Sequence, residues 1–317
     1  MRKICLMTCY MGPLPDYFGY FTASCKNNPS VDFIVINDHI SRSFTDENIR
    51  FIKMDLEELN RYASQRLKES VSLASAWKIN ELKPLFGKLF GEEFKPYDFW
   101  GWCDLDIIWG NIRHFITEEL LQQYDVITTR KSWTTGHFTL FRNTDLCNGL
   151  YQRYKGIIDL LNNPTYFAFE ECCHRWNGEL FSFEELEGKG LPLSMFDIVK
   201  NAEANGELKA LFSEMIREYP QPINYRYADG KLIDLGNQEE FMYYHLITVK
   251  KIWRFYIPVY RKDGSLRITP YGIRREEDNK LVWGIRRAYS CYRGIRKSAR
   301  NQSAGELIRK LFRKKSR

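Results

Sequence analysis

The chain has 317 residues, 44% apolar and 15% aromatic, with a formal net charge of +7. That composition supplies a substantial core for one large domain with additions or for two small ones, and no stretch approaches the ~20 consecutive apolar residues of a membrane-spanning helix. The charge is uneven: residues 285–317 hold 12 Lys and Arg against one acid, Glu306, a net +11, so the rest of the chain carries −4. A mildly acidic body without a DNA- or RNA-binding motif argues against nucleic acid as the partner.

Residues 2–10 (RKICLMTCY) read as a first buried strand. The apolar run is short and leads into a Gly-Pro-Leu-Pro turn rather than a small-residue cleavage site, so it is not a signal peptide. A helix over 16–27 and a second strand over 31–38 (VDFIVIND) follow, and strand–helix–strand starts a parallel sheet. Asp38, at a strand tip, holds a ribose or base, or caps a turn or helix. A short strand and a polar amphipathic helix fill 45–70. The helix expected over 75–91 contains Pro84, which kinks it or marks its first turn. Lys83, just before that proline, either reaches a phosphate or is simply solvated.

The stretch 98–111, DFWGWCDLDIIWGN, is the most informative. Asp98, Phe99, Trp100 and Trp102 read as a buried strand, because aromatic residues favour a pleated, half-buried surface. It runs into Asp104 and Asp106, one residue apart, followed by Ile107, Ile108 and Trp109. Acids set into an apolar run are costly unless paired, hydrogen-bonded or bound to metal. In open α/β folds ligands bind at the carboxyl ends of the strands. A hard divalent cation takes one or two carboxylates plus the phosphate oxygens of its substrate. The stretch therefore predicts a metal–diphosphate site.

Beyond it, 110–124 predicts one amphipathic helix, 125–129 and 137–143 predict strands, and 144–161 predicts a helix. FAFEE (167–171) and FSFEE (181–185) each set paired acids beside aromatics. A carboxylate against aromatic surface has a raised pKa suited to acid–base work, and a pair of exposed helix-cap acids is the alternative. Residues 195–218 read as helical, 223–236 as a hairpin turning at Asp229-Gly230, and 240–253 as a strand bearing His245, structural or a third metal ligand. From 285 onward Ile285, Ala288, Tyr289, Tyr292, Ile295 and Ala299, then Leu307, Ile308, Leu311 and Phe312, line one face of a basic helix pair. That pattern suits attachment to an anionic membrane surface, and a solvated helix docked on the body is the alternative. Eight cysteines without a Cys-x-x-Cys pair fit a reduced cytoplasm. The absence of G-x-G-x-x-G, P-loop, G-x-S-x-G and H-E-x-x-H patterns removes dinucleotide, P-loop, serine-hydrolase and zinc-peptidase readings.

Taken together, FTASCKNNPSVDFIVIND, ELKPLFGKLF, YDFWGWCDLDIIWGNIRHFI, GHFTLFRN, FAFEE and YYHLITVKK resemble a bacterial glycosyltransferase-like family of polysaccharide biosynthesis clusters, formerly filed as a domain of unknown function. The likeness runs from about residue 4 to 251 and does not cover the basic tail. It implies an α/β fold of the GT-A nucleotide-diphospho-sugar transferase type, a mixed central sheet flanked by helices. Residues 1–260 would form the catalytic domain and 261–317 a basic, partly amphipathic extension. By resemblance, Asp104 and Asp106 are the metal and ribose acids of an Asp-x-Asp motif binding Mn²⁺ or Mg²⁺, and His245 is the third metal ligand. Thr8, Tyr10 and Asp38 would line the nucleotide, and Lys83 would touch a phosphate. Gly136 and His137 would lie near sugar and acceptor, with Glu170 or Glu171 as the acid–base residue. In FAFEE, Glu170 stands where the family pattern commonly has Asp.

The resulting expectation is a metal-dependent glycosyltransferase. It would move a sugar from a nucleotide-diphosphate donor, UDP-sugar first, to a surface polysaccharide or lipid-linked glycan intermediate. Its place would be the cytoplasm, peripheral at the inner face of the cell membrane. The alternatives are another metal-dependent phosphate enzyme, a nucleotidyltransferase or sugar-phosphate hydrolase, or a non-catalytic glycan-binding scaffold.

Overall fold

Short Ile-, Val- and aromatic-rich runs form the central strands, which are buried on both faces along Ile4–Thr8, Phe33–Asn37 and Phe99–Cys103. The computed structural model describes residues 1–300 apart from 182, 189–191, 219, 253 and 262–263, and describes no side chains at 183, 184, 187 and 293–300. In chain order the strands are β1 (Ile4–Tyr10), β2 (Val31–Asn37), β3 (Phe44–Asp46), β4 (Ile49–Lys53), β5 (Phe99–Cys103), β6 (Ile107–Trp109), β7 (Val126–Thr128) and β8 (Phe138–Arg142). They continue as β9 (Ala210–Phe212), β10 (Ile216–Glu218), β11 (Tyr225–Ala228), β12 (Lys231–Asp234), β13 (Glu240–Phe241), β14 (Tyr243–His245), β15 (Leu266–Thr269) and β16 (Gly272–Arg275).

The main sheet has eight strands in the order β3-β4-β2-β1-β5-β8-β7-β9. Its centre, β4-β2-β1-β5, is parallel, and β8 turns antiparallel against β5. The expected α/β fold with a mixed sheet flanked by helices is thus present. Alternate residues of β1 and β5 feed cores on opposite faces. Cys5, Met7, Trp100 and Trp102 pack under the helices between Leu56 and Phe94 and under Met195–Ala204. Ile4, Leu6, Phe99 and Cys103 pack with the helix Phe18–Lys26 and with Ile112 and Leu121. A second, three-stranded sheet, β10-β14-β6, stacks beside this second core. Its residues alternate too: Trp109 and Tyr243 face that core, while Ile108 and Tyr244 face a third one, built with the antiparallel sheet β13-β12-β11-β15-β16.

Several elements differ from the sequence expectation. The single helix over 110–124 is two short ones, Ile112–Phe115 and Glu118–Gln123, because Thr117 starts a new helix by accepting a bond from the Leu120 N–H. The helical stretch 195–218 ends at Ala204. Gly206 takes a positive φ of 70°, and the chain goes on as strands β9 and β10. The strand expected over 240–253 is broken into β13 and β14 and then a 3₁₀ turn, Val249–Lys251. The helix expected at 75–91 is a run of short helical turns with Pro84 at the start of one. The hairpin forms as expected, with Asp229 and Gly230 both at positive φ.

Residue 260, the expected end of the catalytic domain, lies just before β15 and β16, which extend the third sheet through pairing of β15 with β11. The helix Lys280–Arg300 follows, tied down at its start by Trp283, whose Nε1 donates to the Ile273 carbonyl at 3.0 Å. Leu281, Val282, Ile285, Tyr289 and Tyr292 along it are exposed. The rest of the expected helix pair, 301–317, lies outside the described residues. Among the described residues no helix is long and apolar enough to cross a membrane.

Candidate active site

Because β5 ends at Cys103 and β6 begins at Ile107, Asp104-Leu105-Asp106 is the link by which the chain leaves the main sheet for the three-stranded one. Leu105 is buried in the core beneath and anchors the link. Asp106 is buried, while the Asp104 side chain keeps 29% exposure. Each acid meets a cation. Lys83 Nζ lies 2.5 Å from Asp104 Oδ1 and also donates to the Gly136 carbonyl at 2.7 Å. Lys250 Nζ lies 2.5 Å from Asp106 Oδ2. Burial alone would push the Asp106 carboxyl up, but His245 and Lys250 outweigh it and hold the group well below the usual carboxylate range. Burial likewise opposes the Lys83 charge, yet Asp104, Glu170 and Glu171 raise its pKa overall.

Strand register delivers the histidine. In β14, His245 stands opposite Ile107 of β6 and beside Glu218 of β10. Its Nε2 comes within 3.9 Å of Asp104 Oδ2 and 3.6 Å of Asp106 Oδ1, and its Nδ1 is 2.9 Å from Glu218 Oε2. Nε2 is buried and makes no hydrogen bond. Donor atoms of Asp104, Asp106 and His245 all lie within 4.8 Å of one another. Two carboxylates and an imidazole nitrogen left open form a donor set that fits a divalent cation. A second group, His137, Glu218 and His245, meets the same distance criterion. In that group, though, Glu218 Oε2 faces His245 Nδ1 and His137 Nδ1 is taken by the Tyr243 hydroxyl at 2.6 Å. Burial, His245 and Arg130 push His137 well below the usual imidazole range, so its ring is neutral.

The acid pair arrives from the other side. The turn 168–174 holds three non-glycine residues at positive φ, Ala168, Cys173 and His174, a strained conformation of the kind concentrated at functional sites. Thr134 Oγ1 donates to the carbonyls of Glu170 and Glu171, and the Gly136 N–H donates to Glu171 Oε1 at 2.8 Å. Gly136 thus joins Lys83 and Asp104 on its carbonyl side to the acid pair on its amide side. A Cβ there would stand 3.0 Å from Glu171 Oε1 and 3.2 Å from Glu170 Oε1, so both carboxylates crowd this glycine. Glu170 is buried, with Oε1 accepting from the Tyr166 hydroxyl and Oε2 without a hydrogen bond. Burial and the Glu171 charge push it up to about 8, and burial also raises Glu171. The second acidic motif, FSFEE, runs into the helix Phe183–Gly188; residue 182 and the Glu184 side chain lie outside the described residues.

Asp104, Asp106, His245, Lys83, Gly136, His137, Glu170 and Glu171 therefore gather at one place. The strand-tip residues lie at its margin. Thr8 is buried inside β1, two residues below half-buried Tyr10. Asp38 Oδ1 accepts from the Gly12 N–H at 2.7 Å, and Asn37 binds the carbonyls of Tyr10 and Gly12, so both residues fix the loop after β1. Three neighbours escape a reading of the sequence. Glu218 falls in an expected helix, and Lys250 in an expected strand. Tyr17 also falls in an expected helix, yet its phenol is pushed up by burial, Asp106, Tyr10 and Asp104, and its ring lies 5.6 Å from Lys250 Nζ.

A family model described as a family of unknown function, DUF6625, matches residues 6–277. No curated protein matches the chain. The solved structures it is similar to include the galactosyltransferase LgtC in complex with donor and acceptor sugar analogues, at 12% identity over 68% of this chain and 76% of that one, TM-score 0.33. Mouse xyloside xylosyltransferase 1 aligns at 8% identity over 69% of this chain and 88% of that one, TM-score 0.38. The glycosyltransferase GlyE of Streptococcus pneumoniae aligns at 11% identity over 67% and 46%, TM-score 0.31.

Proposed function

The chain belongs to the DUF6625 family of unknown function, and we propose that it is a metal-dependent glycosyltransferase moving a sugar from a nucleotide-diphosphate donor, UDP-sugar first, to a surface polysaccharide or lipid-linked glycan intermediate. One observation carries this. The Asp104, Asp106 and His245 donor atoms converge within 4.8 Å at the junction of two sheets, with His245 Nε2 buried and unsatisfied. Asp104, Asp106 and His245 would hold Mn²⁺ or Mg²⁺. Such an ion supplies charge neutralisation for a departing nucleoside diphosphate.

The chain's own groups then divide the work. Lys83, cationic and shared between Asp104 and Gly136, is within the cluster to meet a phosphate. Asp104, the more exposed acid, is the one a ribose reaches, and Tyr10, Tyr17 and the Asp38-braced loop would border the base. Neutral His137, its Nδ1 held by the Tyr243 hydroxyl, lies against the His245 ring at a centroid distance of 4.4 Å and adds no charge beside the metal ligands. Glu170 and Glu171 provide the carboxylate that accepts a proton from the acceptor hydroxyl. The exposed apolar residues of the helix Lys280–Arg300, together with the basic 285–317 sequence, would seat the enzyme on an anionic membrane surface as an extension beyond the catalytic part.

The test is calorimetric binding of UDP, with GDP and CMP as controls, with and without Mn²⁺, on wild type and Asp106→Ala. Tight Mn²⁺-dependent UDP binding, lost in the variant, is the expected result. Product analysis separates the enzyme classes, since sugar transfer releases a nucleoside diphosphate and nucleotidyl transfer releases pyrophosphate. Absence of nucleotide binding under every condition would leave the glycan-binding scaffold.

A further inference from the structure

Five aromatic rings form a continuous row along the rim next to the acid pair. Trp77 meets Tyr166 at a centroid distance of 5.4 Å, Tyr166 meets His174 at 5.9 Å, His174 meets Trp176 at 5.9 Å, and Trp176 meets Trp133 at 5.6 Å. Every step is edge-to-face. Trp77 is 60% exposed and Trp176 45% exposed, with His174 exposed as well. Large aromatic rings left in water cost free energy, and a contiguous exposed group of them marks a binding surface. These rings come from three separated segments, around 77, 133 and 166–176, so the row is assembled by the fold.

The row is tied to the candidate site at both ends. Near its start the Tyr166 hydroxyl donates to Glu170. At its far end Arg130 lies over the Trp133 ring at 6.0 Å and pairs with Glu218, the partner of His245. Anything lying along the rings is therefore led toward the carboxylates on one side and the metal ligands on the other. Tyr166, His174 and Trp176 sit on the strained turn 168–174 or its flanks, the same segment that carries Glu170 and Glu171.

We infer that this row is the acceptor subsite and that its ligand is an oligosaccharide, bound by stacking of sugar rings on Trp77, Trp176 and their neighbours. This rests on the glycosyltransferase reading and names its acceptor class. A pyranose ring has a face of C–H groups and a rim of hydroxyls. A flat aromatic face takes the first through dispersion and weak C–H contacts, and polar side chains take the second. Asn177 and Glu179, exposed beside Trp176, offer such partners. A lipid tail or an amphipathic helix would instead call for an aliphatic groove, and the row contains only aromatic rings. Five rings joined by four contacts present more aromatic surface than one sugar covers, so the subsite is assigned an oligosaccharide rather than a monosaccharide.

The test uses the full chain on an array of defined oligosaccharides, followed by titration of the best-retained glycan into wild type, Trp77→Ala, Trp176→Ala and Trp176→Phe. UDP and Mn²⁺ titrations run on the same samples. Wild type is expected to retain a subset of glycans. Each alanine variant should bind at least tenfold more weakly, Trp176→Phe should recover most of the loss, and UDP affinity should not move. Retention of no glycan, or equal binding by wild type and both alanine variants, overturns the inference. UDP binding that survives such a failure leaves the transferase reading standing. Glycan binding lost in the alanine variants without any UDP binding supports a glycan site at the row but removes the transferase, and with it the acceptor role. Thermal melting of each variant close to wild type excludes misfolding as the cause, and the phenylalanine variant supplies the same control independently.

Discussion

Glu218 Oε2 lies 2.9 Å from His245 Nδ1. A carboxylate at that nitrogen fixes the ring with Nε2 facing Asp104 and Asp106. Removing it with Glu218→Ala should weaken Mn²⁺ binding ~10–100-fold, the usual cost of losing a group that orients a ligating histidine. Glu218→Gln, which keeps an acceptor, should cost less. Mn²⁺ titration followed by paramagnetic resonance reads both, and unchanged affinity in the alanine variant would remove Glu218 from this role.

Lys250 neutralises Asp106 when no metal is bound. Its side chain is 26% exposed and that of Asp106 5%, so Lys250→Met strands a buried carboxylate. The full cost of breaking a buried pair is about 3–5 kcal/mol, and partial exposure of the lysine lowers the expectation to roughly 1–3 kcal/mol. Metal binding should return much of it, because the cation takes over the compensation and stabilises the folded state by mass action. Melting temperatures in EDTA and in Mn²⁺ check this. The gap between variant and wild type should narrow with metal, and an equal gap in both buffers would count against a shared metal site.

Glu170 gives a pH dependence with a definite sign. Its folded-state pKa is raised, to about 8, against an ordinary value of 4.5. Between those values the folded protein holds a proton that the unfolded chain has released. Stability therefore falls as pH rises from about 4.5 to 8 and levels off above. The whole effect amounts to a few kcal/mol at most, since each tenfold change in proton affinity is worth about 1.4 kcal/mol. Glu170→Gln should flatten this slope, read from urea midpoints at pH 5 and pH 8. If the acid pair accepts the acceptor proton, transfer should also climb toward pH 8, with an apparent value belonging to the pair. A wild-type midpoint that rises over the same range would contradict the buried, protonated Glu170.

What is legible in the sequence follows from how local each signal is. The aromatic strand ending in Asp-Leu-Asp declares itself, because buried aromatics and two acids one residue apart leave few alternatives. The parallel start of the sheet is equally plain from its Val- and Ile-rich runs. Glu218 is hidden because β10 is three residues long and pairs with β14, 27 positions on. No local periodicity marks a strand that short, and helix propensity fills the gap. Lys250 is easily overlooked because a lysine after a strand is normally solvated, and only the turn Val249–Lys251 folds it back onto Asp106. The aromatic row is invisible for the same reason, since Trp77, Trp133 and Trp176 are far apart in the chain and meet only in the fold.

The last prediction concerns how the acid-bearing turn is held. Lys78 and Glu81, both fully buried, form an ion pair. Lys78 Nζ also donates to the carbonyls of Leu160 and Thr165 at 2.7 and 2.9 Å, and Glu81 Oε1 accepts from the Phe167 N–H at 2.6 Å. The pair thus ties the helical segment 76–85 to the chain entering FAFEE, three residues before Glu170. Glu81→Gln keeps an acceptor for Phe167 but leaves a buried lysine uncompensated, and should cost about 3–5 kcal/mol. Adding Lys78→Met should cost much less than that substitution does alone, because the stranded charge is gone. Chemical denaturation of the four members of the cycle measures the coupling. Additive losses would mean the two side chains stabilise the turn separately, through their backbone bonds, rather than as a pair.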